Sequence, residues 1–173
     1  MTRSETTEHI NRHIDSWLYS RPNTVSYREV GLLTAVPIKN RRVLWEDKEN
    51  HSWYSRRADF LAWENWPGIG DTWIIIEVKS CIADYWSDQK WRHYLKFCNR
   101  FYFAVMDGFP IEKIERSPDV GIISVPAADA TAGNARIVRR VKSSPVDERV
   151  DMERMKFLMA WKKPGSTSGE ILT

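Results

Sequence analysis

Apolar residues recur at helical spacing near the start of the chain. Ile10, Ile14, Trp17 and Leu18 stand at i, i+4, i+7 and i+8, one stripe of an amphipathic helix predicted over residues 4–20. Arg21-Pro22-Asn23 ends it, because the residue before a proline is pushed out of the helical region. Ser26 and Glu29 have capping-box spacing, which predicts a short helix over 27–34. From Val36 to Ser55 the pattern is mixed and suits a short strand or two with an exposed loop. Beyond that, the period changes to that of strands. Residues 57–63 and 73–79 are β-prone runs, and the link with Pro67, Gly68 and Gly70 joins them as a hairpin. Residues 84–99 read as a helix with Trp91, Tyr94, Leu95 and Cys98 on one stripe. Residues 101–105 and 120–125 are apolar-dense and so belong to the interior of a sheet. A turn at 131–134 leads to a strand over 135–141, and Met152, Met155, Leu158 and Met159 form the buried face of a last helix, 146–162. The expectation is one domain over 1–163 with a flexible tail at 164–173, an α/β sandwich whose central mixed sheet is flanked by helices.

Composition narrows the classes. The chain has 173 residues and a formal net charge of +3, with 42% hydrophobic and 28% charged residues. Such a chain has enough apolar surface for a single core and is too mildly basic to require a nucleic acid on charge alone. No apolar run approaches the roughly 20 residues that span a bilayer, and Met1 to Glu5 leads into polar residues rather than a signal sequence. Cys81 and Cys98 lack zinc-ligand spacing, so two ordinary buried thiols in a reducing, cytoplasmic setting are expected and zinc is disfavoured. No phosphate-binding loop, dinucleotide fingerprint or H-E-x-x-H motif is present. The nine tryptophans are more than a core of this size needs.

The chemistry concentrates at the end of one predicted strand. In Trp73–Ser80, Glu77 and Lys79 stand two apart and therefore project from the same face. Folding the hairpin about Gly68 sets Asp59 across from Glu77 and Arg57 across from Lys79. A slip of one residue would turn the whole set to the other face. In this register two carboxylates and two cations meet where the strands leave the core. Like charges opposite one another destabilise a sheet, and Mg²⁺ or Mn²⁺ between the carboxylates removes that penalty. Against this stands the plainer possibility of solvated ion pairs at a strand end.

Asp59, then Glu77-Val78-Lys79 after a hairpin, resembles the PD-(D/E)XK nuclease signature, with Ala58 where the family's name has proline. Over Arg56–Asp59, Ile76–Ser80, Ala83-Asp84-Tyr85, Asp88-x-Lys90-Trp91-x-x-Tyr94 and Phe101–Val105 the chain is similar to the MmcB family of DNA-repair proteins, a branch of that superfamily. The resemblance spans about residues 56–141 and implies a restriction-endonuclease-like fold. It implies Asp59, Glu77 and the carbonyl of Val78 as ligands of Mg²⁺ or Mn²⁺, and Lys79 as the residue that orients the attacking water. It also implies a glutamate from the N-terminal region, with Glu29 preferred to Glu8, and an outer shell of Ser80, Lys90 and Tyr94. Lys90 stands where relatives carry glutamine, and Gln89 precedes it.

The implied activity is hydrolysis of DNA phosphodiester bonds, in repair or mobile-element processing. The alternatives are a nuclease-like module that binds DNA, or recruits a repair partner, without cutting, and a protein-interaction domain that uses the tryptophan-rich surface. Basic clusters at Lys39, Arg41 and Arg42, at Arg56 and Arg57, and at Arg136, Arg139, Arg140 and Lys142 are candidates for phosphate contact. Of the tryptophans expected around the site, Trp63, Trp66, Trp86 and Trp91, the Pro-Gly loop makes Trp66 the best candidate for exposure. DNA is the expected partner, and the oligomeric state is left open, homodimer included.

Overall fold

The computed structural model describes residues 1–37, 51–68, 70–127 and 133–146. Six strands form one sheet in chain order: β1 (Thr24–Pro37), β2 (His51–Trp66), β3 (Gly70–Val78), β4 (Arg100–Met106), β5 (Val120–Val125) and β6 (Arg136–Arg139). β1, β2 and β3 are antiparallel, β3, β4 and β5 run parallel, and β6 returns antiparallel. Parallel strands need covering on both faces. That explains the unbroken apolar runs in β3, β4 and β5.

Helix α1 (Arg3–Tyr19) covers one face and places Ile10, Ile14 and Leu18 against Phe60, Ile74, Ile76 and Tyr102. Thr2 and Glu5 close its N-terminus with a reciprocal capping box. The other face is covered by α2 (Ile82–Ser87) and a 3₁₀ segment (Lys90–Phe97), which pack Tyr85, Trp91, Tyr94 and Phe97 on Phe101, Phe103 and Ile75. No described helix is long and apolar enough to cross a membrane.

Cys81, expected as a buried thiol, is exposed at the start of α2, whereas Cys98 is buried, and three further local expectations need correction. Ser26 and Glu29 do not cap a helix: residues 24–37 form β1, paired with β2 along their length. Pairing with a long partner strand outweighs a local capping signal. Residues 84–99 are not one helix either. α2 stops at Ser87, Asp88 is extended, and the next turns are 3₁₀. Within the 3₁₀ segment the buried residues are Trp91, Tyr94 and Phe97, three apart; of the expected stripe Trp91, Tyr94 and Cys98 are buried and Leu95 only partly so. The strand expected over 135–141 is confined to Arg136–Arg139. The helix expected over 146–162 falls almost wholly outside the described residues, and the 164–173 tail, Lys39, Arg41 and Arg42 lie outside them entirely.

The β1–β2 hairpin positions the site. Its pairing keeps one register through Arg28↔Phe60 and Val30↔Ala58 but is interrupted between them, at Glu29 and Asp59. Glu29 has φ 54, a left-handed conformation that costs a non-glycine residue about 1–2 kcal/mol. Alternation would put residues 58 and 61 on opposite faces, yet Ala58 and Leu61 share one core, as do Leu32 and Tyr27 on β1. The ribbon therefore turns over at Glu29 and Asp59. Pairing of β2 with β3 ends beside this point, at Phe60↔Ile76. Asp59 is left where β2 parts from β3.

The close approach of β5 to β4 requires a glycine. A Cβ on Gly121 would lie 2.3 and 2.4 Å from the ring of Tyr102. Gly121→Ala is expected to destabilise the fold by about 1–3 kcal/mol, read as a lower urea midpoint. An unchanged midpoint would show that the sheet yields at this contact.

Candidate active site

The hairpin register places Asp59 beside Glu77. β2 and β3 pair from Phe60↔Ile76 to Trp66↔Gly70, so the next opposed positions are 59 and 77. At those positions side chains take over the ladder. The Asp59 amide donates to Glu77 Oε1 at 3.2 Å, and the Val78 amide donates to Asp59 Oδ2 at 2.8 Å. Glu77 and Lys79 point to the same face and are only 5% and 4% exposed. The Lys79 amide donates to the Ala104 carbonyl at 3.0 Å, which anchors the end of β3 on β4. Its Nζ lies 2.7 Å from Asp88 Oδ2, 3.6 Å from Glu77 Oε2 and 5.8 Å from the centroid of Phe103.

Arg57, expected opposite Lys79, instead has a side chain 71% exposed with Nε 2.6 Å from Glu29 Oε2. Among the described residues Lys79 is the cation whose charge acts on both Asp59 and Glu77, Arg57 acting on Asp59 only, and the shortest contact of Lys79 is with Asp88. Sequence reasoning missed Asp88 because a continuous helix over 84–99 leaves it an ordinary surface position. The break after Ser87 turns Asp88 inward, and its Oδ1 accepts from the Lys90 amide at 2.8 Å. That bond opens the 3₁₀ segment and fixes the carboxylate against Lys79.

The electrostatics follow from burial. Desolvation, then the proximity of Asp59, pushes the Glu77 carboxyl up from 4.5 to about 8. Burial also raises Asp59, against the bond from the Val78 amide and the charge of Lys79. For Lys79 desolvation is the largest influence and acts downward, but Asp88, Glu77 and Asp84 together outweigh it. The ammonium is held above its ordinary range. Asp88 is pulled below the usual carboxylate range: burial pushes upward, but Lys79 and the Lys90 amide prevail.

The other expected residues divide. Ser80 donates from N and Oγ to Asp84 Oδ2, each at 3.2 Å, and Asp84 also pairs with Arg3 at the start of α1. Tyr94 is buried and its hydroxyl donates to the Arg57 carbonyl at 2.8 Å, which ties the 3₁₀ segment to β2. Lys90 contributes its amide while its side chain is exposed. Gln89 donates to the Trp86 carbonyl and accepts from Arg92, outside the carboxylate cluster. Glu29 raises the pKa of Asp59 through its charge while pairing with Arg57.

Of the basic clusters, Arg136 reaches Asp107, and Arg139 donates to the carbonyls of Glu115 and Ile111. These two arginines hold loops. Arg56 lies in β2 opposite Leu32, and its side chain is outside the described residues. Trp66 pairs with Gly70 at the hairpin turn, the opposite end of β3 from Glu77 and about 23 Å along the strand. Trp63 stacks on Trp73, and Trp91 is buried between Phe101 and Phe103. Of these four, Trp66 and Trp86 are exposed, and Trp86 stands two residues before Asp88 in the chain.

Among the described residues, no group of three or more His, Cys, Asp or Glu side chains is arranged to hold a metal ion. His9 and His13 are neighbours on α1, and His9 Nε2 contacts the Pro126 carbonyl. The Asp59–Glu77 donor set suits a hard divalent cation, which takes carboxylate and carbonyl oxygens and keeps several waters. Glu77 is buried beside half-buried Asp59, both carboxyls are pushed upward, and the ammonium near them is shared with a third acid, so a divalent ion would stabilise the ionised form of this pair.

Residues 49–157 match the sequence model of a family described as DNA repair protein MmcB-like. The fold is similar to the solved structure of a protein of unknown function from Silicibacter pomeroyi. The two are 22% identical with a TM-score of 0.51, over 98% of this chain and 99% of that one. No curated protein matches the chain.

A carboxyl whose pKa in the fold exceeds its unfolded value stabilises the fold below the unfolded pKa and loses that contribution as pH rises through the folded one. For Glu77 the window runs from 4.5 to about 8. Without divalent metal, melting temperature is expected to fall across this window, and Glu77→Gln is expected to flatten the decline. Parallel wild-type and variant curves in EDTA would contradict this.

Proposed function

As this chain belongs to the MmcB-like family of DNA repair proteins, we propose that it is a Mg²⁺- or Mn²⁺-dependent nuclease of the PD-(D/E)XK type, hydrolysing phosphodiester bonds of DNA. The observation that carries this reading is the pairing of half-buried Asp59 on β2 with buried Glu77 at the end of β3, with buried Lys79 on the same face as Glu77.

In this reading Asp59, Glu77 and the carbonyl of Val78 would hold the ion. A bound divalent ion makes water a nucleophile near neutral pH and offsets charge on the phosphate. Lys79 is kept protonated by its acidic neighbours, so it serves as a hydrogen-bond donor and fixed positive charge rather than as a base. It can orient the attacking water and stabilise the extra negative charge of the five-coordinate phosphorus. Asp88 keeps the flexible lysine side chain in one place, which removes reorganisation from the reaction step. Burial makes each interaction stronger than it would be in water. Tyr94 and the Ser80–Asp84 bonds support β2 and the turn after β3, from which the acids and the lysine project.

Asp59→Ala, Glu77→Ala and Lys79→Ala are each expected to lower Mg²⁺- or Mn²⁺-dependent cleavage by about 10²-fold or more. The check is cleavage of duplex, flap, junction and single-stranded DNA by the full chain, with EDTA as the blank. If the wild-type protein cuts none of them with either metal, the enzyme reading fails. DNA binding that then survives all three substitutions would leave the non-cutting module in its place.

A further inference from the structure

We propose that Trp86 is a stacking platform for an unpaired nucleobase of the DNA strand held at the site. The inference deepens the nuclease reading and rests on it for the strand's presence there.

Most of the tryptophans with described side chains already have an occupation in the fold. Trp73 and Trp91 are buried, Trp63 stacks on Trp73, and Trp17 is partly buried against the core that α1 covers. Trp66 is 36% exposed, at the far hairpin turn. Trp86 is 55% exposed on α2, and burying so large an apolar side chain is the main thing its position leaves undone.

Its location follows from the chain. Trp86 stands two residues before Asp88, whose carboxylate holds Lys79. Two peptide units place its backbone within about 7.6 Å of that of Asp88, in reach of a nucleotide flanking one bound at Lys79. The support is rigid. Asp84, two residues earlier, binds Ser80 and Arg3, and the buried Tyr85 accepts a bond from the Glu115 amide through its hydroxyl. The Trp86 carbonyl accepts from Gln89 at 3.2 Å. An indole on such a base loses little conformational freedom when it is covered.

The surroundings select the occupant. Lys113 Nζ lies 5.8 Å from the indole centroid, and the side chain of Lys90 is exposed on the next turn. Lysine is depleted at the centres of protein–protein interfaces, whereas an aromatic ring flanked by cations is what a single strand requires. The ring stacks on a base and the cations meet phosphates. In an intact duplex both faces of a base are already covered by its neighbours. The preferred partner is therefore a single strand, a flap or a frayed end.

The test uses the full chain in EDTA, so that nothing is cleaved, with fluorescently labelled oligodeoxythymidylate and an abasic strand of equal length and charge. Stacking contributes about 1–3 kcal/mol per base, which corresponds to about 5- to 150-fold in affinity. Wild-type protein is expected to bind the base-bearing strand at least about five-fold more tightly than the abasic one. Trp86→Ala and Trp86→Leu should abolish that preference, and Trp86→Phe should keep most of it. If Trp86→Ala fails to fold, Trp86→Leu decides. Equal binding of both strands by wild type, or an undiminished preference in the leucine variant, would overturn the proposal and give the indole to a protein partner. Neither result bears on cleavage, so a protein that still cuts DNA with Mg²⁺ loses only the stacking role. Metal-dependent cutting undiminished in Asp59→Ala would instead overturn the nuclease reading.

Discussion

The reciprocal bonding of Asp59 and Glu77 at the point where β2 leaves β3 is the constraint around which the site is arranged. Each acid accepts from a backbone amide of the opposing strand, and in each desolvation outweighs the pull of that bond toward the ionised form, so both carboxyls are pushed upward. Burying two carboxylates together is unfavourable unless positive charge accompanies them. Lys79 supplies part of it, but Lys79 is bonded more closely to Asp88. The cluster remains rich in acid for its one ammonium. The rest of the local architecture keeps it that way: the ribbon turns over at Glu29, α2 stops at Ser87, and Tyr94 ties the 3₁₀ segment to β2.

Unfavourable electrostatics in an otherwise well-packed fold is the mark of a place kept for something other than stability. Both faces of the sheet around the cluster are filled by large apolar side chains, those of α1 being Ile10, Ile14 and Leu18. That surplus of apolar contact lets the fold tolerate a left-handed glutamate and a pair of buried acids at one strand end. The function proposed for the chain follows from the local imbalance. Membership in a family of DNA repair proteins gives it a biological setting.

Much of the sheet was legible in the chain. The apolar runs 101–105 and 120–125 are interior strands, and the turn at Gly68 sets the register that brings Asp59 to Glu77. Strand alternation and turn position are local properties, so they can be read from residue order. Three features were hidden because they are not local. The Ser26–Glu29 capping pattern loses to pairing with β2, and only that pairing shows Glu29 at the turnover of the ribbon. Asp88 is turned inward by a helix break that buries Trp91, Tyr94 and Phe97 at a spacing of three instead of the helical stripe. Trp66 looks exposed and near the acids in sequence, yet strand length carries it to the other end of β3.

The central claim is that the Asp59–Glu77 pair is built to take a divalent cation. Calorimetric titration of Mn²⁺ into the full-length protein tests it without reference to any substrate. Saturable binding that Glu77→Gln and Asp59→Asn each abolish, accompanied by a rise in the wild-type melting temperature with added metal, is the predicted result. Absence of binding by wild-type protein, or equal binding by both variants, would contradict it.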